Sequence, residues 1–264
     1  TASNPFQDDT LTEQNLAFIF GVLGNVVSIM VFFAPVPTFR RIYRNKSSDG
    51  FQSIPYVISL FSAAILLYYA FVKTDAYMIV CINGFGCIIE ISYLAIYMYY
   101  ASKKAKMFTL WMVLCFNVGV TGTIILLTMV LEKGSRRVTI VGWICAAVNL
   151  AVFVAPLSIM GKVIRTKSVE YMPFLLSFSL TVCAVLWFFY GLFIKDFYIA
   201  IPNTLGFGFG VVQMVLYMVY RKNSKPEQDD ELNLMNDMKG NLEDNHGGTN
   251  VELSKAAMVR GCSV

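Results

Sequence analysis

Val31-Phe32-Phe33-Ala34-Pro35 and Val152-Phe153-Val154-Ala155-Pro156 are near copies of one another at an offset of 121 positions. At the same offset Lys46-Ser47 is matched by Lys167-Ser168, and with a short gap Ile54-Pro55 is answered by Met172-Pro173. Tyr69-Ala70-Phe71-Val72-Lys73 resembles Tyr190-Gly191-Leu192-Phe193-Ile194-Lys195. Ile82-Asn83-Gly84-Phe85-Gly86 is answered by Pro202-Asn203-Thr204-Leu205-Gly206. The matches keep one order across two blocks of roughly 85 residues, which is the mark of an internal duplication.

Around these strings the chain is strongly apolar. Of 264 residues 56% are hydrophobic and only 14% charged, and the mean hydropathy is +0.60. A water-soluble domain needs more charge on its surface than that. A run of ~20 apolar residues spans a bilayer, so a chain of this length holds about seven spans. They are expected at about 16–36, 53–72, 77–100, 108–130, 138–160, 174–194 and 199–220. The first run is long enough to be a true span, and no cleavable signal pattern precedes it. The expected organisation is a short extracytosolic segment (1–15), a first three-helix repeat (16–100) and a linker helix with its flanking loops (101–137). A second three-helix repeat (138–220) and a disordered cytosolic tail (221–264) follow. The tail reading rests on its Asn, Gly and acidic content, which buries little.

The odd helix has a topological reason. A three-helix unit that starts on one side of a membrane ends on the other, so a second copy in the same orientation needs one more helix to carry the chain back. Parallel repeats of this kind occur among transporters, with the substrate site near the midplane between the repeats. The fold class is therefore an all-α membrane protein of two parallel three-helix bundles joined by a linker helix. Positive charge sets its direction. Arg40, Arg41, Arg44, Lys46, Lys103, Lys104, Lys106, Lys162, Arg165, Lys167, Arg221, Lys222 and Lys225 fall in one set of loops. The other set holds Lys73, Lys133, Arg136, Arg137 and Lys195. Thirteen against five places the N-terminus outside and the tail in the cytosol. The sequon Asn45-Lys46-Ser47 is then cytosolic and unglycosylated.

Inventory excludes several chemistries. The lone histidine, His246, lies in the tail, so no His-based catalytic or metal site falls in the membrane region. Cys81, Cys87, Cys115, Cys145 and Cys183 lie in apolar runs without a CxxC pair and read as buried free thiols. The net charge of +4 is local to loops and does not point to nucleic acid.

Polar groups within a span are expensive unless they pair or line water. Asn83 and Asn203 hold equivalent places in the two repeats, each three residues before a glycine. An amide offers two donors and two lone pairs, which suits a neutral polyol. Plain interhelical hydrogen bonding is the competing reading of each alone; their symmetry favours binding. Trp187 lies well inside the sixth span, where its face can stack on a sugar ring and its N–H can donate. Trp111 and Trp143, near span ends, read as interfacial anchors. Pro35, Pro55, Pro156 and Pro173 form two matched pairs at the cytosolic ends of the first and second helices of each repeat, where they read as hinges. Glu90 is the one acidic residue deep within a span. So thin a supply of carboxylates favours an uncoupled uniporter over a proton-coupled carrier.

The strings Ala34-Pro35-Val36-Pro37-Thr38-Phe39, Ile82-Asn83-Gly84-Phe85-Gly86, Lys167-Ser168-Val169-Glu170-Tyr171-Met172-Pro173-Phe174 and Ala200-Ile201-Pro202-Asn203 resemble those of SWEET sugar transporters. The resemblance covers about residues 16–222 and is closest to the plant sucrose-transporting clade, nectary type. It implies a bidirectional sugar uniporter of the plasma membrane, needing no ion gradient or cofactor and often assembled as a homotrimer. By resemblance Asn83 and Asn203 are the central sugar-binding asparagines and Trp187 the stacking tryptophan. Ser28, Ser62, Asn149, Val152 and Cys183 fall on other pocket positions. The four prolines fall on a hinge tetrad, and Tyr69 and Asp196, with Lys73 nearby, on the residues that close an outer gate. Three positions depart from the sucrose-type pattern: Leu66 stands where many relatives carry a second Trp, and Asn149 and Cys183 where Ser is frequent. Sucrose is the expected substrate, with glucose second.

Other classes fit less well. A rhodopsin-like receptor lacks an internal repeat and carries an Asp/Glu-Arg-Tyr string after its third helix, where this chain reads Tyr99-Tyr100-Ala101-Ser102-Lys103. A retinal protein needs a lysine in its last helix, and 199–220 has none. No nucleophile–base pair or metal cluster suggests an enzyme.

Overall fold

A computed structural model of the chain describes residues 5–169, 172 and 174–221. Pro173, one of the expected hinge prolines, and the tail from 222 onward lie outside the described residues. Those described form α1 (Pro5–Phe32), α2 (Val36–Asn45), α3 (Ile54–Lys73), α4 (Tyr77–Tyr100) and α5 (Lys103–Met112). A π-helical stretch, Val113–Val120, leads into α6 (Thr121–Leu131), α7 (Gly134–Val152), α8 (Val154–Thr166), α9 (Phe174–Phe193) and α10 (Phe197–Tyr220). Among the described residues there is no strand, and seven helical runs are long and apolar enough to cross a membrane. Many large apolar side chains, Phe18, Ile88, Leu126 and Leu175 among them, lie on the outside of the bundle. Facing lipid, that surface carries no hydrophobic penalty. The same logic corrects the expectation of buried thiols: Cys145 is buried, Cys87 and Cys183 are half-buried, and Cys81 and Cys115 are exposed on the bundle surface.

The first and fifth spans are longer than expected because each is broken and resumed. The run expected to stop at 36 continues to Asn45, and the run expected to stop at 160 continues to Thr166. Pro35 is the N-cap of α2, and Pro156 stands in the first turn of α8. Proline there lacks only an N–H that would have no helical partner, so the helix restarts instead of ending. At the first break the Val36 N–H turns to the Phe33 carbonyl (3.0 Å), and the Tyr93 hydroxyl donates to the Phe32 carbonyl (2.7 Å). Pro55 stands at the start of α3 and does not interrupt it. Arg40, Arg41 and Arg44, expected in a loop, ride the exposed face of α2 while Phe39 and Ile42 are buried on α4. Lys162 and Arg165 likewise lie on α8, and Arg136 and Arg137 on α7.

Both resumed helices end alike. Lys46 and Lys167 adopt the left-handed conformation (φ 52° and 56°) that usually falls to glycine at a helix C-terminus. Lys46 donates to the Tyr100 hydroxyl (3.4 Å) and Lys167 to the Tyr220 hydroxyl (3.0 Å), so each resumed helix is tied to the last turn of its own half.

Packing follows the repeat. In the first half α4 lies between α1 and α3; in the second, α10 lies between α7 and α9. Across the halves α1 packs on α9 and α3 on α7, so exchanging the halves exchanges the contacts. The linker (α5, the π stretch and α6) packs on α3 through three polar ties. These are Ser53 Oγ to Thr109 Oγ1 (2.7 Å), Asn117 Nδ2 donating to the Val57 carbonyl (3.3 Å), and Tyr68 to Thr128 (2.7 Å). Such interhelical bonds matter in lipid, where apolar contact alone drives little association.

Candidate functional site

The core is distributed unevenly along the bundle. At the end carrying the α3–α4 and α9–α10 turns, one buried cluster draws on both halves: Ile65, Tyr69 and Ile79 from the first, Val141, Cys145, Tyr190 and Ile199 from the second. At the end carrying the helix breaks the clusters separate. One (Phe39, Ile42, Tyr93, Tyr97) belongs to the first half and another (Val163, Val169, Met172) to the second.

Between the halves lies a cavity of about 310 Å³, at the small end of the ~300–1,000 Å³ common for small-molecule sites. Every residue expected at the pocket lines it: Ser28, Ser62, Leu66, Asn83, Asn149, Val152, Cys183, Trp187 and Asn203. None of its lining residues is charged. Asn83 and Asn203 are anchored identically, each Nδ2 donating to the carbonyl one turn back: Ile79 (2.9 Å) and Ile199 (2.7 Å). That bond fixes the amide and leaves Oδ1 and a second N–H for whatever occupies the cavity.

The glycines that follow these asparagines have a steric purpose. A Cβ at Gly86 would lie 2.7 Å from the Phe32 ring, and one at Gly206 would lie 3.0 Å from the Phe153 ring. Both rings line the cavity, and both belong to the ends of the broken first helices.

Trp187 rests its indole over Gly24 in α1, where a Cβ would come within 3.2 Å. Its N–H is already committed, donating to Ser28 Oγ at 3.0 Å, and Ser28 Oγ lies 3.1 Å from Cys183 Sγ. The indole therefore offers its face, and the donor role expected for its N–H is taken by the protein. Asn149 donates to the Cys145 carbonyl (2.9 Å) and accepts from Ser62 (3.4 Å), which ties α7 to α3 across the halves.

Above the cavity Asp196 is 2% exposed. A carboxylate buried this far is costly unless paired and hydrogen-bonded. Tyr69 donates to its Oδ2 (2.7 Å), Lys73 forms an ion pair with the same oxygen, and its Oδ1 accepts the Tyr198 N–H (3.0 Å) as the N-cap of α10. Gly191 is required at this turn because a Cβ would lie 2.9 Å from the Ala200 nitrogen. Tyr69, Lys73 and Asp196 are thus brought together as expected.

Glu90, 5% exposed in α4, does not line the cavity. Sequence reasoning missed Ser59, Phe32, Phe153 and Tyr198 among the lining residues. Ser59 was readable, lying one turn before Ser62 on the same face of α3. Trp143, expected as an anchor, is exposed but packs edge-on to Tyr198 (5.4 Å between ring centres).

This arrangement, a duplicated seven-span bundle around an uncharged cavity with matched asparagines, defines a membrane carrier. The family model described as "Sugar efflux transporter for intercellular exchange" matches the chain twice, over residues 18–105 and 139–225. The chain belongs to this family, the SWEET family. It is 60% identical over 221 residues to the bidirectional sugar transporter NEC1 of Petunia hybrida, covering 84% of this chain and 83% of the relative. It is 58% identical over 226 residues to the bidirectional sugar transporter SWEET9 of Arabidopsis thaliana, covering 86% and 88%. A solved eukaryotic SWEET transporter superposes with a TM-score of 0.76 at 32% identity, covering 80% of this chain and 99% of the other. These relatives are transporters and not enzymes.

Proposed function

We propose that the protein carries sugar in both directions across the membrane by uniport, with sucrose the preferred substrate and glucose second. The observation that carries this reading is the uncharged cavity with its two identically anchored asparagines, lying between halves that share a core at one end only. Relatives named as bidirectional sugar transporters support the substrate class. In this reading Asn83 and Asn203 clamp sugar hydroxyls from opposite halves and Trp187 stacks on the ring. Ser28, Ser62, Leu66, Asn149, Val152 and Cys183 shape the rest of the pocket. In this reading the Tyr69–Lys73–Asp196 contact is the outer gate in its closed form, and tilting the halves about the breaks at Pro35 and Pro156 would separate the shared core and join the other end. A cavity without a carboxylate, Glu90 lying outside it, supports uncoupled transport. By the distribution of Arg and Lys the helix breaks face the cytosol and the gate end faces away from it; the plasma membrane is the location expected from the family. A homotrimer is the assembly expected from the family.

The test is uptake of radiolabelled sucrose, glucose and fructose into proteoliposomes, with and without a pH gradient. Equilibration of sucrose regardless of the gradient is expected. Strict dependence on the gradient overturns uniport, and uptake of glucose alone overturns the sucrose preference.

A further inference from the structure

We infer that Tyr198 is the ring that seals the central cavity at the gate end, and that Asp196 works the gate through it. The inference rests on the alternating-access reading above. A second pocket lies on the gate side of the bundle, lined by Tyr69, Lys73, Trp143, Lys195, Asp196 and Tyr198 among others. Among the described residues Tyr198 alone lines both this pocket and the central cavity. On this inference its side chain is the partition between the two spaces.

Three contacts fix the ring there. It lies against Gly142 of α7 so closely that a Cβ would come within 2.6 Å of it. It meets Tyr69 (6.2 Å between ring centres) and Trp143 (5.4 Å) edge to face, a geometry favoured by aromatic quadrupoles. Its backbone N–H is held by Asp196 Oδ1 while Oδ2 of the same carboxylate holds Tyr69 and Lys73. One carboxylate thus grips the opposite half with one oxygen and the base of the partition with the other. When Oδ2 lets go, Tyr69 and the half that carries it are no longer held against the ring, and the Tyr69–Tyr198 contact across the halves can part.

The duplication supplies an internal comparison. The counterpart of the Gly142–Tyr198 pair in the first half is Gly21–Met78, where a Cβ on the glycine would lie 2.7 Å from Met78 Cγ. The same knob-on-glycine packing is present, but Met78 does not line the cavity. Only the second half extends this position into a partition.

Cys183 lines the cavity and serves as the reporter. In a chain keeping it as the sole cysteine, its modification by a membrane-impermeant thiol reagent is timed from each side of the membrane, on cells and on inverted vesicles. Tyr198→Ala is expected to raise the gate-side rate by about five-fold or more without changing the rate from the other side, because one equilibrium barrier is removed at one end. Tyr198→Phe keeps the ring and is expected to label as the parent does. Gly142→Ala, which displaces the ring, is expected to fall between. An unchanged gate-side rate in Tyr198→Ala, with a raised rate in Asp196→Asn, overturns the inference and leaves the Asp196 pair as the whole seal. An equal rise from both sides overturns it too, as general loosening. Sucrose uptake by the parent on the same vesicles reports separately on the transport reading, which can fail while the labelling still decides the seal.

Discussion

Tyr69→Phe is the cleanest perturbation of the proposed gate, because it keeps a ring that is 1% exposed in the shared core and deletes only a hydroxyl. That hydroxyl donates at 2.7 Å to a buried carboxylate oxygen. A hydrogen bond to a charged group contributes about 1.5–3 kcal/mol net. The bond spans the halves, so in the proposed alternation its loss falls on the gate-closed arrangement alone; in the open one the hydroxyl would meet water. With each ~1.4 kcal/mol worth tenfold, the closed-to-open ratio should drop by about 10- to 150-fold. A gate closed ~99% of the time would then be open ~10–60% of the time. Spin labels at Tyr77 and Phe197, both exposed at the first turns of the third helices, would read this as a distance distribution. The expected result is a growing longer-distance population in Tyr69→Phe. A distribution unchanged from the parent, in protein that still unfolds at the parent's temperature, would refute the assignment of this bond to gate closure.

Asn83→Ala and Asn203→Ala each remove one amide from the cavity and should lower sucrose uptake by about tenfold or more, with fluorescence size-exclusion profiles unchanged; undiminished uptake in both would reduce the pair to structural bonding. Trp187→Phe retains a ring face but frees Ser28, so KM should rise by less than about tenfold while Trp187→Ala loses measurable transport; equal losses would mean that the N–H bond to Ser28 is what matters. Gly191→Ala forces a methyl against the α10 backbone and should destabilise the protein by about 1–3 kcal/mol, read as a lower unfolding temperature in detergent; an unchanged temperature would show that the turn can widen.

The span count and the central pocket were legible because they depend on quantities a sequence carries directly. Apolar runs of membrane length give the spans, and duplication makes Asn83 point to Asn203. The breaks were less legible. Pro35 and Pro156 were visible as interruptions, but whether a helix stops or resumes depends on the next turn. There Phe39 and Ile42 bury themselves on α4 while the arginines beside them stay exposed. A count by loops therefore placed Arg40, Arg41 and Arg44 off the helix they ride. Tyr198 escaped notice for another reason. Its partner in the repeat is Met78, so the duplication that exposed the asparagines concealed the place where the halves differ. The committed N–H of Trp187 depends on Ser28, 159 positions away, a pairing that no local pattern contains.

The linker's polar ties to α3 bear on how the chain is made. Ser53–Thr109, Val57–Asn117 and Tyr68–Thr128 join the first half to the helix that follows it in synthesis, so these ties can form before α7 emerges. Units that emerge early tend to fold early. Biogenesis would then proceed by capture, with the incoming second half laid along the waiting faces of α1 and α3 and the sugar path formed only at that last docking. A truncated or stalled chain would leave an inserted stub without a conduit, a safe failure for a membrane that must not leak.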